Sequence, residues 1–253
     1  MNSAFNNERY VELQKEAILK RASAFHKLYI EVGGKLFDDY HASRVLPGFN
    51  PNNKINILLS LKEKSEVVIA INSNDIKNRK IRNDLGITYD VEVERLIKTF
   101  LTMGLDVNSV VFSFYEPNAE VDKFMRKLKR MKIQTYKHYK IAGYPQDASL
   151  IVSDNGLGKN EYISTTKDIV IVTAPGPGSG KMATCLSQLY HDQKHGIISG
   201  YAKYETFPVW NLPLNHPVNI AYEAATIDLN DVNMIDPYHL DAYGTSSVNY
   251  NRD

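Results

Sequence analysis

Short apolar runs without alternation between apolar and polar residues are the strongest constraint on how this chain folds. The clearest are "EVVIAI" at 66–71, "NSVVFSFY" at 108–115 and "DIVIV" at 168–172. Successive side chains of a strand point to opposite faces, so runs that are apolar at nearly every position predict strands buried on both faces. Three further strands are predicted at 27–34, 133–139 and 149–153.

Segments with helical periodicity separate these strands. The apolar residues recur at the spacing of one helix face. Helices are predicted at 8–26, 52–64, 90–103, 119–131, 180–194 and 217–226. Strands that alternate with helices predict an α/β fold: a three-layer α/β/α arrangement with a mostly parallel sheet, Rossmann-like or P-loop-like. The runs at 67–71, 110–114, 150–152 and 169–172 are expected to be adjacent strands of that one sheet.

The length and the pattern together predict two regions. An α/β domain is expected over residues 1–200, containing a glycine-rich loop. Residues 201–253 have few strand signals and many Asn and Asp residues. This segment is predicted to be an irregular extension that begins a further domain missing from this chain.

Composition excludes several classes of function. The 30 basic and 29 acidic residues give a net charge of +1, so we expect no nucleic-acid partner. No apolar run approaches the ~20 residues that span a bilayer, so no membrane association is expected. The single cysteine, Cys185, excludes an internal disulfide and a Cys-rich metal site, and we predict it to be a core residue. We expect a cytoplasmic protein with a small phosphorylated ligand; homo-oligomerisation stays open.

The segment "TAPGPGSGKMAT" at 173–184 carries the strongest chemical signal. It lies between a predicted strand and a predicted helix. Glycines let backbone N–H groups turn toward an anion, and a helix N-terminus favours negative charge. Lys181 would add a positive charge. The predicted phosphate-binding residues are Gly176, Gly178, Ser179, Gly180, Lys181 and Thr184.

This loop departs from the Walker A pattern G-x-x-x-x-G-K-[ST] at two positions. The first glycine falls on Pro175 and the Mg²⁺-binding Ser or Thr falls on Met182. Thr184 or Ser179 are the candidate replacements for that hydroxyl. If the loop is a degenerate P-loop, Met182 is expected to point into the core. The alternative is a glycine-rich connection with a solvated lysine.

Other candidates follow predicted strands, where ligands of α/β sheets collect. Lys35 and Arg44 are predicted to bind substrate, and His41 to act as a catalytic base. Asn72, Asp75 and Arg79 could line the same cleft. Asp154 follows the predicted strand 149–153 and is a further candidate for substrate binding. Each has an alternative as an ordinary polar loop or turn residue.

The C-terminal segment is rich in carboxylates, which are ligands that divalent cations prefer. Asp231 and Asp236 are the predicted metal ligands, and Asp228 is a predicted catalytic residue beside Lys181 and His41. A cofactor of Mg²⁺ with ATP or another nucleotide follows from this assignment. Because no pair of residues matches a dedicated metal motif, plain turn residues remain the alternative.

Several long segments together resemble one family of bacterial proteins. They are "GGKLFDDYHASRVLPGF", "DLGITYD", "LIVSDNGLGKN", "VTAPGPGSGKMATCLSQLYH", "YETFPVWNLPLNHPVNIAYEAAT" and "DLNDVNMIDPYHLDAYG". The family is domain of unknown function 1846, an uncharacterised protein family, and the resemblance runs from about residue 8 to the last residue. It implies a cytoplasmic α/β protein and no known activity. Because members are roughly twice as long, it also implies that this chain is an N-terminal portion. The family shares the sequence APGPGSGK, found here at 174–181.

Three functions stay open. The first is an enzyme that binds a nucleotide or phosphorylated metabolite at 173–184 and catalyses phosphoryl transfer, with Lys181 neutralising the developing charge. The second is a hydrolase or transferase on a phosphorylated metabolite, in which the loop only holds the anion and His41 or His216 is the base. The third is a non-catalytic metabolite-binding or assembly module.

Overall fold

The computed structural model describes residues 5–33, 36–37, 48–82, 85–144 and 146–204, with 214–217, 220, 234–235, 240–241, 244 and 248–249 further along. Residues 15–33 and 58–204 form one compact unit, and the remaining segments form a second. The large sheet lies entirely within the first of these units.

Seven α-helices and ten strands are assigned in the described residues. The helices are α1 (Asn7–Ala22), α2 (Asn53–Ser60), α3 (Ser73–Lys77), α4 (Tyr89–Thr102), α5 (Ala119–Arg130), α6 (Ala148–Ile151) and α7 (Lys181–Lys194). The strands are β1 (Lys27–Val32), β2 (Ser65–Asn72), β3 (Ile81–Arg82), β4 (Ile87–Thr88), β5 (Asp106–Ser113), β6 (Gln134–Lys137), β7 (Ile169–Thr173), β8 (Ser199–Tyr204), β9 (Met234–Ile235) and β10 (Val248–Asn249). Among the helices that are described, none is both long and apolar enough to cross a membrane.

Six of these strands form one parallel sheet in the order β6-β5-β2-β7-β1-β8. Strand β7 is inserted between β2 and β1, pairing Thr173 with Ile69 on one side and Ile171 with Ile30 on the other. The predicted neighbours at 67–71, 110–114 and 169–172 are therefore adjacent strands of one parallel sheet, as expected.

Helices cover the two faces of the sheet, which gives the predicted three layers. Alternate side chains of β2 and β7, such as Val68 and Val172, pack with Cys185 of α7 in one buried cluster. Phe112 of β5 points the other way and meets Phe124 of α5 edge to face, with ring centroids 6.0 Å apart. Cys185 is fully buried in its cluster, which confirms its prediction as a core residue.

Two strand predictions differ from the structure. The predicted strand at 149–153 is wrong, because residues 148–151 form the short helix α6, whose first turn is capped by Asp147 accepting a hydrogen bond from the Leu150 N–H at 2.9 Å. Strand β8, "SGYAKY", was not predicted. The strand contains a glycine and a lysine and no apolar run, so its sequence carries no signal for a strand. Gly200 is nevertheless required, because a Cβ there would lie 2.5 Å from the Phe25 ring.

His138 lies directly after β6 and is almost wholly buried, at 3% exposure. Its Nε2 is 3.1 Å from the Glu161 carbonyl oxygen. Because a carbonyl oxygen only accepts hydrogen bonds, Nε2 carries the proton of a neutral ring. Burial lowers the pKa of His138 to about 4, against a weaker opposing effect of the Glu161 carbonyl.

This buried imidazole predicts a loss of stability in mild acid. A free histidine has a pKa of about 6.5, so below that pH the unfolded chain binds a proton that the folded chain excludes. The contribution is complete above pH 6.5, and by pH 4 we expect a loss of about 3 kcal/mol in unfolding free energy. Urea titrations across this range should show a shallower pH dependence for His138→Gln than for wild type. Equal slopes would contradict the assignment.

Candidate anion-binding site

The glycine-rich loop, residues 174–180, connects β7 to α7 at the carboxyl edge of the sheet. The chain leaves β2 toward β5, but it leaves the adjacent β7 in the opposite direction, toward β8. Neighbouring strands whose connections diverge leave a crevice at their carboxyl ends, which is where open α/β sheets bind ligands. The loop therefore lies at the point of the fold best suited to a small ligand.

Two side chains from neighbouring strands hold two successive carbonyl groups of the loop. Asn72, the last residue of β2, donates from Nδ2 to the Gly178 carbonyl at 3.1 Å. Ser113, the last residue of β5, donates from its hydroxyl to the Ser179 carbonyl at 2.8 Å. The other end of the Asn72 amide caps α3, because Oδ1 accepts from the Asn74 N–H at 2.9 Å. The loop is thus fixed against the sheet edge through its carbonyl groups.

Holding these carbonyls also fixes the direction of the N–H groups. In a trans peptide the C=O and the following N–H point in opposite directions. The N–H groups of Ser179 and Gly180 therefore point away from the carbonyl-holding side chains, and neither has an acceptor in the part of the chain that the structure describes. They precede the first turn of α7, whose N–H groups have no acceptor within the helix and whose dipole favours an anion.

Two buried hydroxyls beside the loop add to this arrangement. Ser179 is 2% exposed and Ser73, the residue after Asn72, is 3% exposed. Neither hydroxyl has a hydrogen-bond partner among the described residues. An unpartnered buried hydroxyl costs roughly 1–3 kcal/mol, so it needs an explanation in a native structure.

Two glycines of the loop are required by close approach. A Cβ on Gly180 would lie 2.7 Å from the Ser113 Cβ, and one on Gly176 would lie 2.6 Å from the Tyr89 hydroxyl. Gly180 also has a φ of 84° at the N-cap of α7. Gly178 has a φ of 69°, in open space.

Lys181 is the first residue of α7 and is half-buried. Its positive charge acts on the Cys185 thiol, one turn further along α7. Burial raises the pKa of the Cys185 thiol well above its ordinary value and Glu31 acts in the same direction, whereas Lys181 opposes both. A buried thiol with a raised pKa is unsuited to nucleophilic chemistry.

Two predictions about this segment need correction. Met182 is 42% exposed, so the expectation that it points into the core is wrong. The Thr184 hydroxyl donates to the Gly180 carbonyl at 2.9 Å and the residue is fully buried. Because the whole side chain is buried, its oxygen is not accessible to a metal ion in this conformation, which argues against Thr184 as the replacement for the Walker A hydroxyl.

Asp154 is not where its sequence context predicted. It follows the helix α6 rather than a strand, is exposed, and accepts a hydrogen bond from Tyr190 at 3.0 Å. It also forms an ion pair with Lys194, which lowers the pKa of its carboxyl group. Lys194 and Lys181 are at opposite ends of α7, about 20 Å apart along its axis. The structure does not bring Asp154 to the loop.

Of the remaining residues predicted from the sequence, some lie within the described residues and others do not. Asn72 is at the loop, as expected for a residue lining the cleft, while Asp75 forms an ion pair with Lys80 at 3.2 Å. Six candidates lie outside the described residues: Lys35, His41, Arg44, Asp228, Asp231 and Asp236. Within the described ranges, no group of three or more His, Cys, Asp or Glu residues could hold a metal ion.

Sequence reasoning missed Ser113 and Ser73 altogether. Both are small polar residues at or just after the ends of apolar runs, at Ser113 of "VVFS" and Ser73 of "AINS". A hydroxyl at the carboxyl end of a buried strand was the available signal. Which carbonyl it would reach depends on the strand order, which the sequence alone did not provide.

The family model "Domain of unknown function DUF1846, N-terminal" matches residues 3–253. The "UPF0371 protein" of Streptococcus equi subsp. zooepidemicus strain H70 is 58% identical over 253 residues, which is all of this chain and 51% of that protein. The "UPF0371 protein SUB1165" of Streptococcus uberis is 59% identical over 251 residues, 99% of this chain and 51% of that protein. The chain spans about half the length of these curated relatives.

The two positive-φ glycines of the loop predict different costs for the same substitution. Gly178→Ala should cost about 1–2 kcal/mol of unfolding free energy from the left-handed backbone alone, since nothing lies near its Cβ. Gly180→Ala should cost about 1–3 kcal/mol more, because its Cβ meets the Ser113 Cβ, which cannot rotate away. Urea denaturation followed by circular dichroism measures both. Equal losses would show that the loop does not press against Ser113.

Proposed function

The chain belongs to the DUF1846 family, and we propose that it binds the phosphate of a nucleotide or another phosphorylated metabolite at the glycine-rich loop and takes part in phosphoryl transfer. The family name assigns no chemistry. The proposal therefore depends on the geometry of the loop. The chain covers about half of the length of its relatives. The reaction of the full-length protein is therefore also a proposal.

One observation carries it: the hydrogen bonds from Asn72 and Ser113 turn two loop carbonyls toward the sheet. The corresponding N–H groups then face the other way, next to the N-terminus of a 14-residue helix. Backbone N–H groups that have no acceptor at the start of a helix suit a phosphate, and the helix dipole adds to the attraction.

Lys181 supplies the charge in this proposal. Phosphoryl transfer develops negative charge on the transferred group, and catalysis consists mostly of positioning that group and stabilising the charge. Lys181 begins α7 directly after the loop, and in this proposal its ammonium group pairs with a phosphate held by the N–H groups. Mg²⁺ would accompany a nucleotide, with Asp231 and Asp236 as its ligands and Asp228 as a catalytic carboxylate. Lys35, Arg44 and His41 would serve the second substrate.

The second candidate function is favoured by Thr184. Its hydroxyl proton is donated to the Gly180 carbonyl, and the side chain is fully buried in this conformation. Ser179 is then the remaining candidate for the Walker A hydroxyl, and if it binds no metal, the loop fits a hydrolase or transferase in which it holds the anion and His41 or His216 acts as base. The two candidates differ in whether Mg²⁺ increases affinity.

Replacement of Lys181 tests the proposal. A charge-assisted hydrogen bond to phosphate contributes about 1.5–3 kcal/mol, so Lys181→Ala should weaken the binding of ATP or inorganic phosphate by roughly tenfold to a hundredfold. Isothermal titration calorimetry measures the affinities, and thermal melting checks the fold. Lys194→Ala, at the far end of the same helix, is the matched control and should leave both affinities unchanged.

Binding measurements with nucleotides and with inorganic phosphate, each with and without Mg²⁺, separate the two candidate functions. Stabilisation by ATP or GTP that requires Mg²⁺ supports phosphoryl transfer, whereas equal binding of inorganic phosphate with and without EDTA supports the anion-holding role. If neither phosphate nor any nucleotide binds, or if Lys181→Ala is silent where ligands do bind, the loop is a structural connection. The chain would then be a non-catalytic module.

A further inference from the structure

A shallow recess lies beside the glycine-rich loop, on the same edge of the sheet. It is formed between the carboxyl ends of β2 and β5 and the start of α5. Its lining residues are Ser73, Asn74, Lys77, Phe114, Glu116, Pro117, Asn118 and Val121. All of them belong to the compact unit that contains the sheet.

The recess and the loop are joined through two pairs of consecutive residues. Asn72 and Ser113 hold the loop carbonyls, and the residues that follow them, Ser73 and Phe114, line the recess. A ligand whose phosphate lay on the loop would therefore extend over the recess with its next chemical group.

Phe114 is unusual at this place in two respects. Its φ is 50°, a left-handed conformation that costs a residue with a bulky side chain roughly 1–2 kcal/mol. Its side chain is 39% exposed although it follows a strand whose last five residues are buried. Backbone strain of this kind persists where the surroundings enforce it and is concentrated at functional sites. The result is a phenyl ring presented at the ligand edge of the sheet.

The polar groups of the recess suit an uncharged partner rather than a second phosphate. Lys77 and Glu116 contribute one charge of each sign. The Ser73 hydroxyl is buried and has no partner among the described residues. The loop, by contrast, offers N–H groups and a lysine. The charged part of a ligand is therefore favoured on the loop, and a planar group with hydrogen-bonding edges on the recess.

From this juxtaposition we infer that the phosphorylated ligand is a nucleoside phosphate, with its phosphate on the loop and its base lying across the recess against the ring of Phe114. This inference rests on the proposed function and names its substrate class. The volume of the recess is only about 20 Å³, which is room for about one water molecule. The base therefore lies over the recess and does not enter it.

The experiment compares ligands that differ only in the base. Ribose 5-phosphate and the four common nucleoside 5′-monophosphates share one phosphate and one sugar. Calorimetry on the wild-type chain should show at least one monophosphate binding roughly tenfold or more tightly than ribose 5-phosphate, since stacking of one base on an aromatic side chain has that effect. Equal affinities for ribose 5-phosphate and all four monophosphates would overturn the inference without any variant.

Variants at Phe114 assign the effect to the ring. Phe114→Ala should bring the preferred monophosphate down to the affinity of ribose 5-phosphate and leave ribose 5-phosphate itself unchanged. Phe114→Tyr should retain the preference. Phe114→Leu keeps an apolar side chain of similar size without a π face, so it should lose the preference while melting near the wild-type temperature. Loss of affinity for all ligands alike in these variants would contradict the inference.

The outcomes also separate this inference from the proposed function. If phosphate binds in a Lys181-dependent manner but the base adds nothing, only the nucleoside assignment fails. If no phosphate compound binds the wild-type chain, the proposed function fails and the assignment fails with it. If monophosphates are preferred through Phe114, both are supported.

Discussion

The hydrogen bonds from Asn72 and Ser113 to consecutive carbonyls of the loop are the interactions on which the candidate site depends. They require three strands side by side, because each donor is the last residue of its strand and the acceptors follow β7. The N–H directions, the close contact at Gly180 and the position of the neighbouring recess all result from them. A different order of strands would leave the same loop sequence without this arrangement.

Much of the fold was predictable from the apolar runs, because burial on both faces removes polar residues from a strand. The same reasoning failed for 149–153, where the four residues Ala148–Ile151, with Leu and Ile among them, form a helical turn begun by the Asp147 cap. Short apolar runs occur in both strands and helices, and here the Asp147 cap favours the helix. Strand β8 was missed for the opposite reason: at the edge of the sheet it needs few apolar residues.

The site was predictable only in part. The glycines and Lys181 stand together in the sequence, and their chemistry could be read there. Ser113 ends a strand about sixty residues earlier and Phe114 follows it, and only the topology brings Ser113 to the loop and Phe114 to the recess. Asp154 shows the reverse, since an incorrect strand placed it at the ligand edge and its actual partners, Tyr190 and Lys194, are at the far end of α7.

The insertion of β7 into the middle of the sheet has a consequence for the order in which the protein forms. On the ribosome, β1 is made first, yet its neighbours in the sheet are β7 and β8. Well over a hundred residues must be synthesised before β1 acquires a neighbour, and pairings this distant are slow to form. Until then β2 carries an open edge, which is exposed to association with other chains. The glycine-rich loop follows β7 directly, so its mature shape arises in the same late step that joins the two halves of the sheet.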